Sequence, residues 1–187
     1  MTGAADDEAT ETEANRALAR LFASLLLLEL DGDALDELRE PPVRAALRSI
    51  GVDVPDASTP EEIDQLAAEF HARLLRPESG VPLVQSLVTT GSYQGDPAET
   101  CRRLGEVAAL EFDAGAASGA QPDHLGSILL LWAETRGYAP EVAERIEAEH
   151  LAWSLAPLAQ LAKSGGFYGA VAAALARWLE TLLAVRG

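Results

Sequence analysis

Two side chains able to hold a proton or a cation stand together at Asp123 and His124, where a Gly/Ala-rich segment meets the apolar run at residues 125–132. Aspartate at this place predicts a helix N-cap, because its carboxylate can accept from the free backbone N–H groups of the following turn. His124 would then lie on the first turn, where the positive end of the helix dipole disfavours a protonated imidazole. Local sequence leaves two interpretations open: a cap followed by a surface histidine, or a polar recognition site.

A metal site is the main chemical alternative. His124 and His150 could meet in space, with Asp123 and Glu149 beside them as oxygen ligands, which would suit a metal-dependent helical hydrolase. Spacing does not favour it, because no two histidines stand four residues apart as in a helical zinc site. The sequence also has no Gly-Lys-Ser/Thr phosphate loop. We therefore expect no metal, no cofactor and no catalytic residue.

Composition favours an all-α fold. Ala and Leu dominate the 187 residues and aromatics make up 5% of them, as in helix-rich chains. This length suits one well-packed domain. The single cysteine, Cys101, excludes an internal disulfide and is expected to fill a small apolar space. The acidic N-terminus lacks the basic region of an export signal, so we expect a cytoplasmic protein without an integral membrane segment.

The charge of the chain is strongly negative. Thirty acidic residues face fourteen basic ones, giving −16, and Lys163 is the only lysine. Such a surface is expected to repel nucleic acid, because binding there depends on neutralising phosphates with Lys and Arg. Two explanations stay open: attraction of a basic partner, or the adaptation to high salt that is typical of halophiles. The diffuse charge and scarce lysine favour salt adaptation.

The hydrophobic pattern predicts a single-domain bundle of about eight to ten helices. Residues 1–12 are small and acidic, which predicts a disordered tail before a domain at 13–187. Residues 113–122 are rich in Gly, Ala and Ser and are predicted to form a hinge, which could also exchange helices to give a domain-swapped dimer rather than a monomer. The predicted helices cover residues 15–30, 34–39, 42–50, 60–74, 97–112, 124–136, 140–151, 153–163 and 167–185, with a short extended or helical piece at 83–88.

Aromatic residues concentrate towards the C-terminal half, near two of the histidines. Most are expected to pack in the core. A groove that receives an apolar helix would nevertheless need the same arrangement, with aromatic walls and acids at one mouth. The residues concerned are Phe70, Phe112, Trp132, Trp153, Phe167, Tyr168 and Trp178.

Three stretches, in this order, resemble the TorD/DmsD/NarJ-type chaperones, the redox-enzyme maturation proteins. The first is Phe-His-Ala-Arg-Leu-Leu-Arg-Pro at residues 70–77, followed by Pro82 and Ser86. The second is Pro-Asp-His-Leu at residues 122–125. The third is Glu-His-Leu-Ala-Trp at residues 149–153, followed by the Phe-Tyr pair at 167–168. The chain departs from the family pattern at Arg76, Val84 and Ile128, and Trp153 is one residue closer to His150 than in that pattern.

The resemblance implies a cytoplasmic helical chaperone without enzymatic turnover. It would bind the twin-arginine leader and the apo form of a molybdopterin oxidoreductase catalytic subunit before export. The leader-binding face that it implies has Asp123 and His124 on one side of a groove. The other implied members are Phe70, Leu74, Ser86 and Val84 across the groove, with His150 and Trp153 packed nearby. A helix-binding adaptor with a different partner remains a third alternative.

Overall fold

The computed structural model describes residues 3–76, 80–93, 95–108 and 120–184 of the chain, with side chains from residue 9 onward. Within these ranges the secondary structure is helical and contains no strand, which confirms the all-α prediction. The helices are α1 Gly3–Leu27, α2 Gly32–Arg39, α3 Pro41–Ser49, α4 Pro60–Phe70, α5 Gln85–Thr90, α6 Asp96–Val107, α7 Leu125–Thr135, α8 Pro140–His150, α9 Leu155–Ala162 and α10 Gly166–Ala184. A π-helical turn, His71–Leu75, extends α4, and a 3₁₀ turn, Ala152–Ser154, precedes α9.

The N-terminal helix begins earlier than the sequence pattern predicts. α1 starts at Gly3, so residues 3–12, predicted as a disordered tail, form its first turns. Ala and Glu in this segment are strong helix formers, and their propensity outweighs the lack of an apolar face. The predicted hinge at 113–122 lies outside the described residues except for 120–122.

The chain divides into two compact units, each assembled from two separate segments. Unit 1 combines the chain up to Leu28 with Val84–Trp153, and unit 2 combines Glu29–Leu83 with the chain from Ser154 onward. The N-terminal helix and the Asp-His segment therefore belong to unit 1. The Phe-Tyr pair of α10 belongs to unit 2.

In unit 1, α1 packs along α7. The α7 sequence is almost continuously apolar, and nine of its eleven residues are buried. Polar contacts align the two helices: Arg16 Nε donates to the Ala133 carbonyl at 2.8 Å, and Arg20 pairs with Glu134 at 2.8 Å. In the same turn of α7, Trp132 Nε1 donates to the buried Glu147 carboxylate on α8 at 2.6 Å. The core of unit 1 thus holds α7 from both sides.

In unit 2, α4 begins with a complete capping box. Thr59 accepts from the Glu62 N–H, and the Glu62 carboxylate accepts from the Thr59 N–H, which is the reciprocal pairing that defines a capping box. α9 and α10 are joined by Gly165 and Gly166, whose φ values of 68° and 72° are left-handed, a conformation that glycine adopts without steric cost.

α10 is, within the described ranges, long and apolar enough to cross a membrane by length and composition. Its mean hydropathy is 1.2, and 44% of the apolar window is buried. Buried helices in protein cores share these properties. Its buried residues are Phe167, Tyr168, Gly169, Val171, Ala172, Ala174, Leu175 and Leu179.

Candidate functional site

Asp123 caps a helix other than the one predicted. Its side chain has no exposed surface, and its Oδ2 accepts from the backbone N–H of Ser86 at 2.7 Å, at the start of α5. The Asp123 carbonyl also accepts from the Gln85 N–H at 3.0 Å. The prediction that Asp123 caps α7 is therefore wrong. The reason is tertiary: an antiparallel bridge between Val84 and His124 brings the free N–H groups of α5 to the aspartate.

His124 is the N-cap of α7. Its backbone is extended and its Nδ1 accepts from the Gly126 N–H at 3.2 Å, so the proton of the neutral ring is on Nε2. Burial lowers the pKa of His124 to about 4, and the nearby Asp123 carboxylate only partly opposes the shift. His124 is thus a neutral hydrogen-bond acceptor at physiological pH, one residue earlier in the helix than predicted.

His150, at the end of α8, joins the same polar cluster. Its Nδ1 lies 2.7 Å from Gln85 Oε1, and the Gln85 amide in turn donates to the Glu149 carbonyl at 3.0 Å. Trp153 Nε1 donates to the His150 carbonyl at 2.8 Å. Burial is the main cause that lowers the pKa of His150. Gln85 accepts from Nδ1–H and so fixes the tautomer of the neutral ring.

A buried thiol lies beside this histidine. Cys101 Sγ is 3.6 Å from His150 Nδ1, and Cys101 has no exposed surface. Burial, with a smaller contribution from Asp123, raises the pKa of the thiol to about 12. A nucleophilic cysteine needs a lowered pKa and access to its substrate. Cys101 and His150 are therefore a neutral, packed pair rather than a thiolate and an imidazolium.

Three buried polar atoms of this cluster lack a hydrogen-bond partner among the described residues. They are Ser86 Oγ, Asp123 Oδ1 and His150 Nε2. Leaving such an atom unpaired costs roughly 1–3 kcal/mol. We define Gln85, Ser86, Cys101, Asp123, His124 and His150 as the polar cluster of unit 1.

The structure brings together six of the eight residues implied by the family resemblance. Val84, Ser86, Asp123, His124, His150 and Trp153 lie in unit 1. Phe70 and Leu74 lie in unit 2, on α4 and its π-helical turn. Of the eight, only His124 and Trp153 are partly exposed, and the other six are buried. In this conformation His124 and Trp153 therefore have accessible surface, whereas the other six have little.

Sequence reasoning missed Gln85 and Cys101. Gln85 looks like an ordinary residue of a short helix, and a lone cysteine carries no spacing signal. Only the fold reveals that both contact His150.

The four proposed metal ligands do not form a cation site. In the described part of the chain, no group of three or more His, Cys, Asp or Glu side chains is arranged to hold a metal ion. The Asp123 carboxylate is directed at the Ser86 N–H, and His150 Nδ1 is engaged by Gln85. No observation favours the metal-dependent hydrolase.

Comparison with known proteins gives a structural likeness and no sequence match. No family model and no curated protein matches this sequence. Among solved structures, the chain is similar to one described as a candidate redox enzyme maturation protein from Archaeoglobus fulgidus, with a TM-score of 0.61 and 18% identity. The likeness covers 89% of this chain and 93% of that one. At this identity it shows that the two chains share a fold.

Proposed function

We propose that the protein is a maturation chaperone for a redox enzyme, acting by binding and without turnover. The client is the catalytic subunit of a molybdopterin oxidoreductase, bound in its apo form and through its twin-arginine leader. Two independent lines support this proposal: the shared fold with the Archaeoglobus protein and the three sequence stretches that resemble the TorD/DmsD/NarJ-type chaperones.

The observation that carries the proposal is that one part of each stretch converges in unit 1. Residues 84–86, 123–124 and 149–153 are far apart in sequence, yet the Ser86–Asp123 and Gln85–His150 hydrogen bonds join them in one cluster. Buried, hydrogen-bonded polar networks fix the geometry of the surface above them. His124 and Trp153, the partly exposed members, are the residues proposed to touch the leader.

The chemistry of a twin-arginine leader suits an acidic protein. The leader has a basic end and an apolar stretch, so it requires charge-assisted hydrogen bonds and an apolar slot. The net charge of −16 would attract the basic end over a distance. Trp153 offers a partly exposed aromatic ring, which suits contact with the apolar stretch.

Calorimetric titration with the twin-arginine leader of a molybdenum oxidoreductase from the same genome tests the proposal. We expect binding that weakens at least tenfold when both leader arginines are replaced by lysine, because Lys cannot form the bidentate contacts of Arg. Trp153→Ala should weaken binding, whereas Tyr138→Ala, which alters an exposed aromatic outside the cluster, should not. Equal affinity for the leader and its lysine variant would instead support an adaptor that binds apolar helices.

A further inference from the structure

The C-terminal end of α8 is capped by two side chains, and one of them comes from α5. The last four carbonyls of an α-helix have no partner within the helix. Two of these carbonyls in α8 belong to Glu149 and His150. The Glu149 carbonyl accepts from the Gln85 side-chain amide at 3.0 Å, and the His150 carbonyl accepts from Trp153 Nε1 at 2.8 Å. Gln85 and Trp153 therefore bind consecutive carbonyls of the same helix end.

The direction of the hydrogen bonds around Gln85 follows from the groups involved. A backbone carbonyl can only accept, so the Gln85 atom that faces Glu149 is the amide nitrogen. The amide oxygen then faces His150 Nδ1 at 2.7 Å, and it can accept only if that nitrogen carries the proton. His150 Nε2 has no hydrogen-bond partner among the described residues. The Gln85 amide thus selects the Nδ1–H tautomer of His150.

Gln85 has little freedom to move. It is 7% exposed, its N–H donates to the Asp123 carbonyl at 3.0 Å, and its carbonyl accepts from Thr89 Oγ1 at 2.9 Å. Both backbone groups and both ends of the side-chain amide are therefore engaged. Within unit 1, these bonds connect α5, the Asp123 segment and the end of α8. A change at Gln85 is therefore transmitted to the helix end to which Trp153 is bonded.

Glutamine alone combines the required groups at this length. Glutamate could accept from His150 but could not donate to the Glu149 carbonyl, and its charge would favour a protonated imidazole. Methionine is of similar size and provides only a weak acceptor. Asparagine carries the same amide on a side chain that is one methylene shorter. Position 85 thus needs a donor and an acceptor on one planar group.

We propose that Gln85 is a positioning residue, whose amide fixes the end of α8 and the tautomer of His150 and thereby the orientation of the Trp153 ring. The contact of Trp153 with the leader rests on the proposed function. The role of Gln85 is additional to it, because Gln85 is buried and acts through His150 and Trp153.

Nitrogen-15 NMR of the histidine rings measures the effect of the amide directly, because the two ring nitrogens differ in each neutral tautomer. The signals of the three histidines are assigned from single substitutions. At neutral pH we expect His150 as the Nδ1–H tautomer and His124 as the Nε2–H tautomer. In Gln85→Met, His150 should lose its preference for the Nδ1–H form. In Gln85→Glu, the pKa of His150 should rise, because the new carboxylate stabilises the imidazolium.

The other groups that influence His150 are the same in all of these proteins. Burial lowers the pKa of His150, two carboxylates oppose this shift, and one guanidinium adds to it. A buried thiol lies beside the ring. These groups are Glu149, Asp123, Arg145 and Cys101. A difference between the variants and the wild type therefore reports on position 85.

The indole N–H signal of Trp153 measures the positioning. In Gln85→Met it should shift and its hydrogen exchange should accelerate at least tenfold, while the Trp132 indole, bonded to Glu147, keeps its signal and verifies the fold. Leader affinity should fall about five- to tenfold, the scale of one lost hydrogen bond. Gln160→Met makes the same chemical change at an exposed position of α9 and should match the wild type in every measurement.

Three results would overturn the role of Gln85: an unchanged His150 tautomer, an unmoved Trp153 signal, or full leader affinity in folded Gln85→Met. If Gln85→Met does not fold, Gln85→Glu, which keeps the size and the acceptor, is held to the same expectations for Trp153 and for affinity. Failure of the proposed function is a distinct result. If the variants shift His150 and Trp153 while no leader binds to the wild type, the positioning stands and the chaperone proposal fails.

Discussion

At the residue scale, Asp123 supports the site from inside. Its carboxylate is fully buried and its contacts are to the backbone of α5, through the N–H groups of Ser86 and, by its carbonyl, Gln85. A buried residue such as Asp123 acts on a ligand only indirectly, by fixing the segments that hold the exposed residues. Mutations at Asp123 therefore affect stability before they affect recognition.

We predict that Asp123→Ala lowers the free energy of unfolding by about 2–3 kcal/mol, because it removes a charge-assisted hydrogen bond and leaves the Ser86 N–H buried without its partner. Asp123→Asn should lower the free energy of unfolding by less, because the asparagine side-chain oxygen can still accept from the Ser86 N–H. Urea denaturation measures both. Asp64→Ala, at an exposed position of α4, is the control and should stay within about 0.5 kcal/mol of the wild type. A stable Asp123→Ala would show that the bond contributes little.

His124 predicts a dependence of stability on pH. Its pKa is about 4 in the folded protein and near 6.5 when exposed, so the unfolded chain binds a proton that the folded protein resists. The buried neutral ring of His124 therefore contributes fully to the free energy of unfolding above pH 6.5. This contribution is lost as the pH falls to about 4, and the loss amounts to at most about 3 kcal/mol. His150, whose pKa is also lowered, adds in the same direction.

Replacing His124 by Asn should flatten this dependence. Asn is a good N-cap that does not titrate in this range. The free energy of unfolding of His124→Asn should therefore fall less steeply than that of the wild type between pH 6.5 and 4. Urea melts at half-unit pH steps measure it. Identical profiles for His124→Asn and the wild type would exclude His124 as the source.

At the scale of elements, the contact between α1 and α7 fixes the position of the polar cluster in unit 1. Gly126, in the first turn of α7, lies against Leu27 at the end of α1, and a Cβ added there would be 2.6 Å from Leu27 Cγ. The close approach holds the His124 cap and the start of α7 in place. A glycine inside a helix usually makes a protein less stable than an alanine would. At position 126 glycine is favoured because a larger residue would overlap with Leu27.

We predict that Gly126→Ala destabilises the protein by about 1–3 kcal/mol, because the steric overlap with Leu27 exceeds the gain in helix propensity of about 1 kcal/mol. In a Leu27→Ala background the same substitution should be neutral or stabilising. Thermal or urea unfolding of the wild type, Gly126→Ala, Leu27→Ala and the double variant measures the effect of Gly126→Ala in both backgrounds. Equal effects of Gly126→Ala in both backgrounds would contradict this account of the contact.

At the scale of the whole molecule, charge is the dominant property. A net charge of −16 on 187 residues repels itself most at low ionic strength, where the Debye length is about 30 Å at 0.01 M salt. The ion pairs of the described residues are mostly exposed and contribute little each. The energetic effect of the charge is therefore diffuse.

The melting temperature should rise as KCl is raised from 0.01 M to molar concentrations, because screening relieves this repulsion. Differential scanning calorimetry at constant pH measures it. The same series in sodium sulfate separates screening from salting-out, which also strengthens apolar burial. A melting temperature independent of KCl would count against salt adaptation and favour a partner as the reason for the charge.

The sequence by itself determined the helical class and the position of most helices, because these depend on local signals. The hydrophobic pattern located the helices that the structure shows as α7, α8 and α10. The small, acidic composition of residues 3–12 misled, because the helix propensity of their Ala and Glu residues prevails and α1 begins at Gly3. The family resemblance implied that Asp123, His124 and His150 are site residues, and this stays a prediction.

Only the tertiary structure decided what these residues do. The aspartate serves α5 rather than α7, because a buried carboxylate takes the nearest unpaired N–H groups, and those belong to a segment 37 residues away. Gln85 and Cys101 contact His150 across 65 and 49 residues, for which no local pattern exists. Helix formation depends on residues that are close in sequence. Buried polar side chains need hydrogen-bond partners, and the fold supplies these from residues that are distant in sequence.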